Sequence, residues 1–139
     1  MKIYAYVERG LGKAECQDRV VVGDTILAGG FHSIEREELN NLLVAVADGV
    51  GGYPGGERAS LIAADGIRTL NRWSNLTEAD VRALIENINH QILATGQAIA
   101  GFGNMATTLT ALVMSQNTAL SAHIGNCRLC SYKKYLQSI

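Results

Sequence analysis

The first fifty residues alternate between short apolar runs and polar, glycine-containing stretches. Residues 2–7 (KIYAYV) predict a short strand, and residues 8–18 a loop. Two further apolar runs, 19–23 and 25–30, flank Gly23-Asp24, a dipeptide suited to a hairpin turn. The segment 31–41 is polar and charged, and its His32 is expected in a loop. The apolar run 42–47 (LLVAVA) then has the length and valine content of a buried strand, and it stops at Asp48. Residues 48–56 hold five glycines and the only proline, which marks a loop.

The period then changes to that of helices. Ala59, Ile62, Ala63, Gly66, Ile67 and Leu70 fall on one face of a helix expected from about Glu57 to Trp73. A second helix has a clear start: Thr77 is followed three residues later by Asp80, a variant of the capping box, and Leu76 can staple onto Val81. Val81, Leu84, Ile85, Ile88 and Ile92 form its stripe, which should end between Ala94 and Ala100, before Gly101 and Gly103. Strand patterns return in 106–114, in 118–125 after a turn at Gln116-Asn117, and in 127–132, predicting a β-meander. The order is strands, two helices, strands, with no internal repeat or low-complexity tract.

Composition narrows the class of protein. With 139 residues, 47% of them hydrophobic and 18% charged, the chain is expected to be one globular domain over 1–139. A net charge of −1, without blocks of like charge, gives no basis for a nucleic-acid partner or a membrane-surface helix. No apolar stretch reaches the roughly 18 residues of a membrane span, and the N-terminus lacks the apolar core of a secretory signal. Three cysteines, an odd number, argue against a disulfide framework, and a reducing cytoplasm is the expected setting.

The candidate chemistry centres on Asp48 and Gly49. A carboxylate at the end of a buried strand, next to glycines, sits where a cleft can form. Hard cations such as Mg2+ and Mn2+ take carboxylate, backbone carbonyl and water oxygens, and a glycine lets a carbonyl be approached closely. Asp18, just before a predicted strand, is the second candidate. Taken singly, Asp48-Gly49 also reads as an ordinary turn and Asp18 as a surface residue.

Four segments together resemble a known family. Val46-Ala47-Asp48-Gly49-Val50-Gly51-Gly52, followed by Gly55-Gly56-Glu57-Arg58-Ala59-Ser60, is similar to the bacterial signature VADGMGGHxxGExAS of metal-dependent protein phosphatases of the PP2C type. Cys16-Gln17-Asp18-Arg19 resembles NEDR or NQDR, residues 103–109 resemble GMGTTL, and residues 122–128 resemble AHVGDSR. The order and spacing are compatible across essentially the whole chain. The resemblance implies an α+β fold, a four-layer α-β-β-α sandwich with two sheets face to face, of which this chain carries an incomplete N-terminal half. It also implies hydrolysis of phosphoserine and phosphothreonine in a phosphoprotein substrate. Two Mg2+ or Mn2+ ions would activate a water that attacks phosphorus, with no phosphoenzyme. By the same resemblance Asp48 bridges the metals, the Gly49 carbonyl binds one of them, and Asp18 supports the centre through water.

The departures from the family are specific. Where members place a phosphate-holding arginine, this chain has Lys13, Ala14 and Glu15; Lys13 or Arg9 would have to serve, and a lysine lacks the bidentate fork. Gln17 stands where many members have Glu, and Val50 where many eukaryotic members have a histidine. Asn126 replaces an aspartate of a third, weaker metal site and should weaken it. The family domain continues for about as much chain again and brings further carboxylates. The chain is therefore expected to be a truncated phosphatase domain of impaired activity. The alternatives are a non-catalytic binding or regulatory module, or an inactive remnant. Uncovered sheet edges predict a homodimer or higher assembly.

Other signals carry less. Cys127 and Cys130, three apart on a predicted strand, point to opposite faces and do not suit zinc or a redox pair. Cys16 reads as a buried thiol. His32 in a loop, His90 on a helix and His123 in a strand form no metal-spaced set. The glycine loop lacks the endings of phosphate- and dinucleotide-binding motifs, and Thr107 and Thr108 read as strand residues near the site.

Overall fold

A computed structural model describes residues 2–35, 42–72, 75–115 and 118–132, and the backbone of 136–138. Its centre is a five-stranded antiparallel sheet in the order β3-β2-β5-β6-β7. These strands are β2 (Asp18–Val22), β3 (Thr25–Leu27), β5 (Leu42–Asp48), β6 (Leu109–Ser115) and β7 (Thr118–Ile124). The apolar run that ends at Asp48 takes the middle position, with β2 on one side and β6 on the other, and Leu43, Ala45 and Ala47 are buried. The turn between β2 and β3 falls on Gly23, whose φ of 60° suits glycine.

Two helices cover one face. Ala59, Ala63 and Ile67 of α1 (Gly56–Ile67) share a core with Val21, Leu43, Ala45, Leu109 and Val113 of the sheet and with Val81, Ile88 and Ile92 of α2 (Glu78–Ala98). The expected capping box is present at the start of α2. The Asp80 amide donates to Thr77 Oγ1 at 3.2 Å, and the Thr77 amide donates to Asp80 Oδ2 at 3.0 Å. The Thr77 hydroxyl, which donates to Asp80 Oδ2 at 2.6 Å, and then the Thr77 amide favour the ionised carboxylate and lower the pKa of Asp80. Leu76 packs against the same core as Val81.

Two two-stranded sheets stand apart from the central one. One pairs β1 (Lys2–Val7) with β4 (Gly30–Glu35), the other β8 (Cys130–Tyr132) with β9 (Leu136–Ser138). Between β1, residues 127–129 and the sheet lies an apolar cavity of about 540 Å3, whose floor includes Val20, Val22, Val44, Val46 and Leu112.

Four expectations change. Residues 30–35 form strand β4, so His32 lies in a strand rather than a loop. The first helix ends at Ile67 and continues as a 3-10 turn over Arg68–Arg72. Thr69 Oγ1 donates to the Gly66 carbonyl at 2.7 Å, a local bond that competes with the α-helical pattern, and buried Leu70 anchors the turn. The strand expected from 106 starts at Leu109; before it Thr107 forms only an isolated bridge with Gly49, and Thr107 and Thr108 hydrogen-bond the Asp48 peptide. The strand expected over 127–132 covers only 130–132 and pairs with β9 instead of extending the meander, so Cys127 precedes it. Residues 36–41, Trp73, the Gln116-Asn117 turn, Lys133, Lys134 and Tyr135 lie outside the described residues.

Candidate metal centre

Asp18 opens β2 and Asp48 closes β5, and the antiparallel register sets them directly opposite one another at the same end of the sheet. Residues opposed in this way share a face. Both are half-buried. Burial raises the pKa of Asp18 first; its hydrogen bond to the Asp48 carboxyl and the charge of Asp48 raise it further, and Arg19 opposes them.

The backbone around the pair is tightly held. The Gly49 amide donates to the Gln17 carbonyl at 3.2 Å. A Cβ at position 49 would lie 2.4 Å from the Gly56 carbonyl oxygen and 2.8 Å from that of Gln17, so the packing admits only glycine. Gly55, with φ 94°, turns the loop into α1. The Asp48 peptide is pinned from β6's side. Its carbonyl accepts from Thr107 Oγ1 and from the Thr108 amide, each at 2.9 Å. Its amide donates to Thr108 Oγ1 at 3.1 Å, and that hydroxyl also lies 3.2 Å from Cys127 Sγ.

On the helix side of β2, the buried Arg19 ties the site to α1. Nη1 donates to the carbonyls of Cys16 at 3.0 Å and Asp18 at 2.7 Å, and Nη2 pairs with Glu57 Oε1 at 2.6 Å. Arg19, Glu57, Thr107 and Thr108 all lie within the family-like segments of the sequence, but the segments alone assign them no contact; the further signals are a charged residue inside the apolar run of β2 and a Thr-Thr pair at the edge of another.

The acidic pair opens onto a cavity of about 480 Å3, lined also by Glu8, Lys13, Glu15, Gln17 and the glycine loop. Lys13 therefore reaches the cleft. Arg9 is not part of its lining, and its Nη1 donates to the Ala14 carbonyl at 3.4 Å. Asn126 is exposed in the turn after β7, at the same end of the sheet but outside the cleft lining. Cys16 is half-buried, and His123 Nδ1 is 2.8 Å from Thr110 Oγ1.

The donor set suits a hard divalent cation in part. Two crowded carboxylates, one of them reluctant to ionise, are an arrangement a cation relieves, and both offer oxygen. The set is short. Among the described residues no three His, Cys, Asp or Glu side chains converge as a ligand group. Asp18 and Asp48 would thus hold a cation only with water or further ligands.

The protein phosphatase 2C family pattern matches residues 14–135. The serine/threonine phosphatase stp of Listeria monocytogenes is 32% identical over 98 residues, covering 64% of this chain and 38% of its own length. The Mycobacterium tuberculosis serine/threonine phosphatase PstP/Ppp superposes with a TM-score of 0.76 at 27% identity, over 99% of this chain and 53% of its own. The catalytic domain of PstP in complex with two manganese ions gives the same TM-score and identity. Stp1 of Staphylococcus aureus, at 21% identity and a TM-score of 0.77, shares the fold. The helix-backed antiparallel sheet with a cleft at its loop end is thus part of the sandwich found in bacterial serine/threonine phosphatases. The chain belongs to the protein phosphatase 2C family. It spans about half the length of these solved relatives and 38% of the Listeria protein.

Proposed function

We propose that this chain supplies Asp18, Asp48 and Gly49 to a divalent-metal centre that hydrolyses phosphoserine and phosphothreonine in proteins. The observation that carries this reading is the opposed carboxyl pair at the mouth of a cleft, backed by a glycine that nothing larger can replace. Mg2+ or Mn2+, two ions as in the manganese complex of PstP, is the proposed cofactor. When bound, such cations lower the pKa of water and offset phosphate charge. The chain's own residues place the ligands: the threonines fix the Asp48 peptide, and the β2–β5 register fixes its distance from Asp18. Lys13 is the proposed phosphate contact from the cleft wall, acting as a point charge. Asn126 is a weak contributor at most, and Arg9 is a poorer candidate than Lys13 given its bond to Ala14.

A low intrinsic activity belongs to the same reading, because among the described residues no third His, Cys, Asp or Glu joins Asp18 and Asp48 as a ligand group, and two carboxylates leave divalent cations under-ligated. The shortage also favours a second reading, a phosphatase-like module that binds without turnover. Mn2+-dependent hydrolysis of p-nitrophenyl phosphate, with Asp48→Ala as control, separates them. Weak turnover abolished by the substitution supports the first reading. Turnover equal in both proteins, or absent at any Mn2+ concentration, rejects it.

Self-association is part of the proposal. β7 is an edge strand without a charged residue or proline among its seven, and the opposite sheet face is apolar over the 540 Å3 cavity. Sedimentation at micromolar concentration should show a homodimer or larger species; a monomer would reject the idea. Among the described residues no helix is long and apolar enough to cross a membrane. A cytoplasmic setting is proposed because it keeps the three free thiols reduced.

A further inference from the structure

We infer that Arg19 and Glu57 form a positioning brace that sets the geometry of the acidic cleft, an inference that rests on reading Asp18 and Asp48 as metal ligands. The Arg19 side chain is 6% exposed and lies on the helix side of β2, opposite the face that bears Asp18. It does not line the cleft. One guanidinium nitrogen holds the carbonyls of Cys16 and Asp18, and another holds the Glu57 carboxylate in the first turn of α1. These attachments lie on both sides of the site. Cys16 to Asp18 is the approach to β2, and Glu57 follows the glycine loop that starts at Asp48-Gly49.

The loop and the approach already touch: the Gly49 amide bonds the Gln17 carbonyl, and a Cβ on Gly56 would lie 2.9 Å from Gln17 Oε1. Arg19 closes this arrangement from below with a rigid planar group. Stability alone gives little reason for a charge there. An ion pair with a buried member contributes little net stability, and an apolar side chain of similar volume often does as well. Arg19 is buried opposite Ala47, on the helix-facing side of the ladder, where the other rung, Val21 opposite Ala45, is apolar. An arginine adds something an apolar residue cannot: bonds to the Cys16 and Asp18 carbonyls, which hold the segment that carries Asp18 from both sides. Partners behind a metal ligand commonly change metal affinity 10- to 100-fold.

The test is a Mn2+ titration of the full 15N-labelled chain, read by paramagnetic broadening of backbone amide signals, which detects weak sites. In the unaltered protein, signals near Asp18, Asp48 and Gly49 should broaden first, and Asp48→Ala should abolish this preference. The exchanged pair Arg19→Glu with Glu57→Arg keeps the charges together but places no donor at the Cys16 and Asp18 carbonyls. It should raise the Mn2+ concentration for half-broadening by about tenfold or more. Arg19→Met should do the same. Thr77→Ala, a destabilised control far from the cleft, should leave that concentration unchanged. Unchanged broadening in a folded Arg19→Met or exchanged protein overturns the brace. If neither gives a native-like spectrum, Glu57→Gln decides, with a severalfold rise expected and no change overturning the idea. Localised broadening that ignores Arg19 removes only the brace, whereas no localised broadening in the unaltered chain removes the metal reading and the brace together.

Discussion

Asp18 and Asp48 face one another across the β2–β5 ladder, each at the end of its strand. The pair has a thermodynamic signature. The folded chain raises the pKa of Asp18 above its ordinary 3.8, so it holds that proton more tightly than the unfolded chain does. The stability this provides is fully present below pH about 3.8 and is lost as pH rises through the folded value. In metal-free protein at pH 7, Asp18→Asn should therefore unfold at higher urea than the unaltered chain, because an amide can donate to Asp48 without adding charge. The gap should close as pH falls toward 3.8. Parallel pH profiles for the two proteins would contradict the coupling.

Gly49 is held by space. A methyl at this position meets backbone atoms on two sides, the Gly56 and Gln17 carbonyls, and neither belongs to a side chain that can swing away. Gly49→Ala should cost about 1–3 kcal/mol or more in urea unfolding, as overpacking does. It should also weaken Mn2+ binding, since relief requires the loop to move away from Asp18.

Thr108 supplies the acceptor for the Asp48 amide. Thr108→Val keeps the side-chain shape and removes that acceptor, leaving a donor without its partner at the strand end. The expected loss is about 1–3 kcal/mol. Hydrogen exchange should accelerate at the Asp48 amide more than at the Ala45 amide deeper in β5. Equal protection at Asp48 before and after the change would show that the hydroxyl does not hold it.

The parts of this fold that could be read from the sequence are those where burial leaves one choice. The run 42–47 is too apolar to lie anywhere but the middle of a sheet, and Thr77 with Asp80 fixes a helix start by local hydrogen bonding alone. β4 escaped because only Ile34 among its six residues is half-buried and the rest are exposed, so no hydrophobic period develops. Its strand character comes from register with β1 and from stacking of Tyr4 on Phe31 at 6.2 Å, both non-local. The candidate site divides in the same way. Asp48 stands out because it ends an apolar run, and Asp18, just before another, gains weight only when paired with it. Thr107 and Thr108 act on the Asp48 peptide about sixty residues away in sequence, and Arg19 ties nearby carbonyls to Glu57, 38 residues on; the motifs these residues belong to do not record such contacts.

The contact between the helices sets two known effects against each other at one position. Gly66 lies inside α1, where alanine would be favoured by about 0.8–1 kcal/mol through helix propensity. A Cβ there would come 2.5 Å from Ile88 Cγ1 and 2.7 Å from Cδ1. Ile88 is buried in the core, and its β-branched side chain has little freedom to rotate away. Overpacking of this kind costs about 1–3 kcal/mol, which exceeds the propensity gain. Gly66→Ala should therefore lower stability by about 1 kcal/mol, against the usual sign for an exposed helix site. Adding Ile88→Val removes one of the two clashing carbons and should recover part of the loss, so that the pair is more stable than the sum of the single changes. Additive effects in urea unfolding would mean that α1 and α2 separate to admit the methyl.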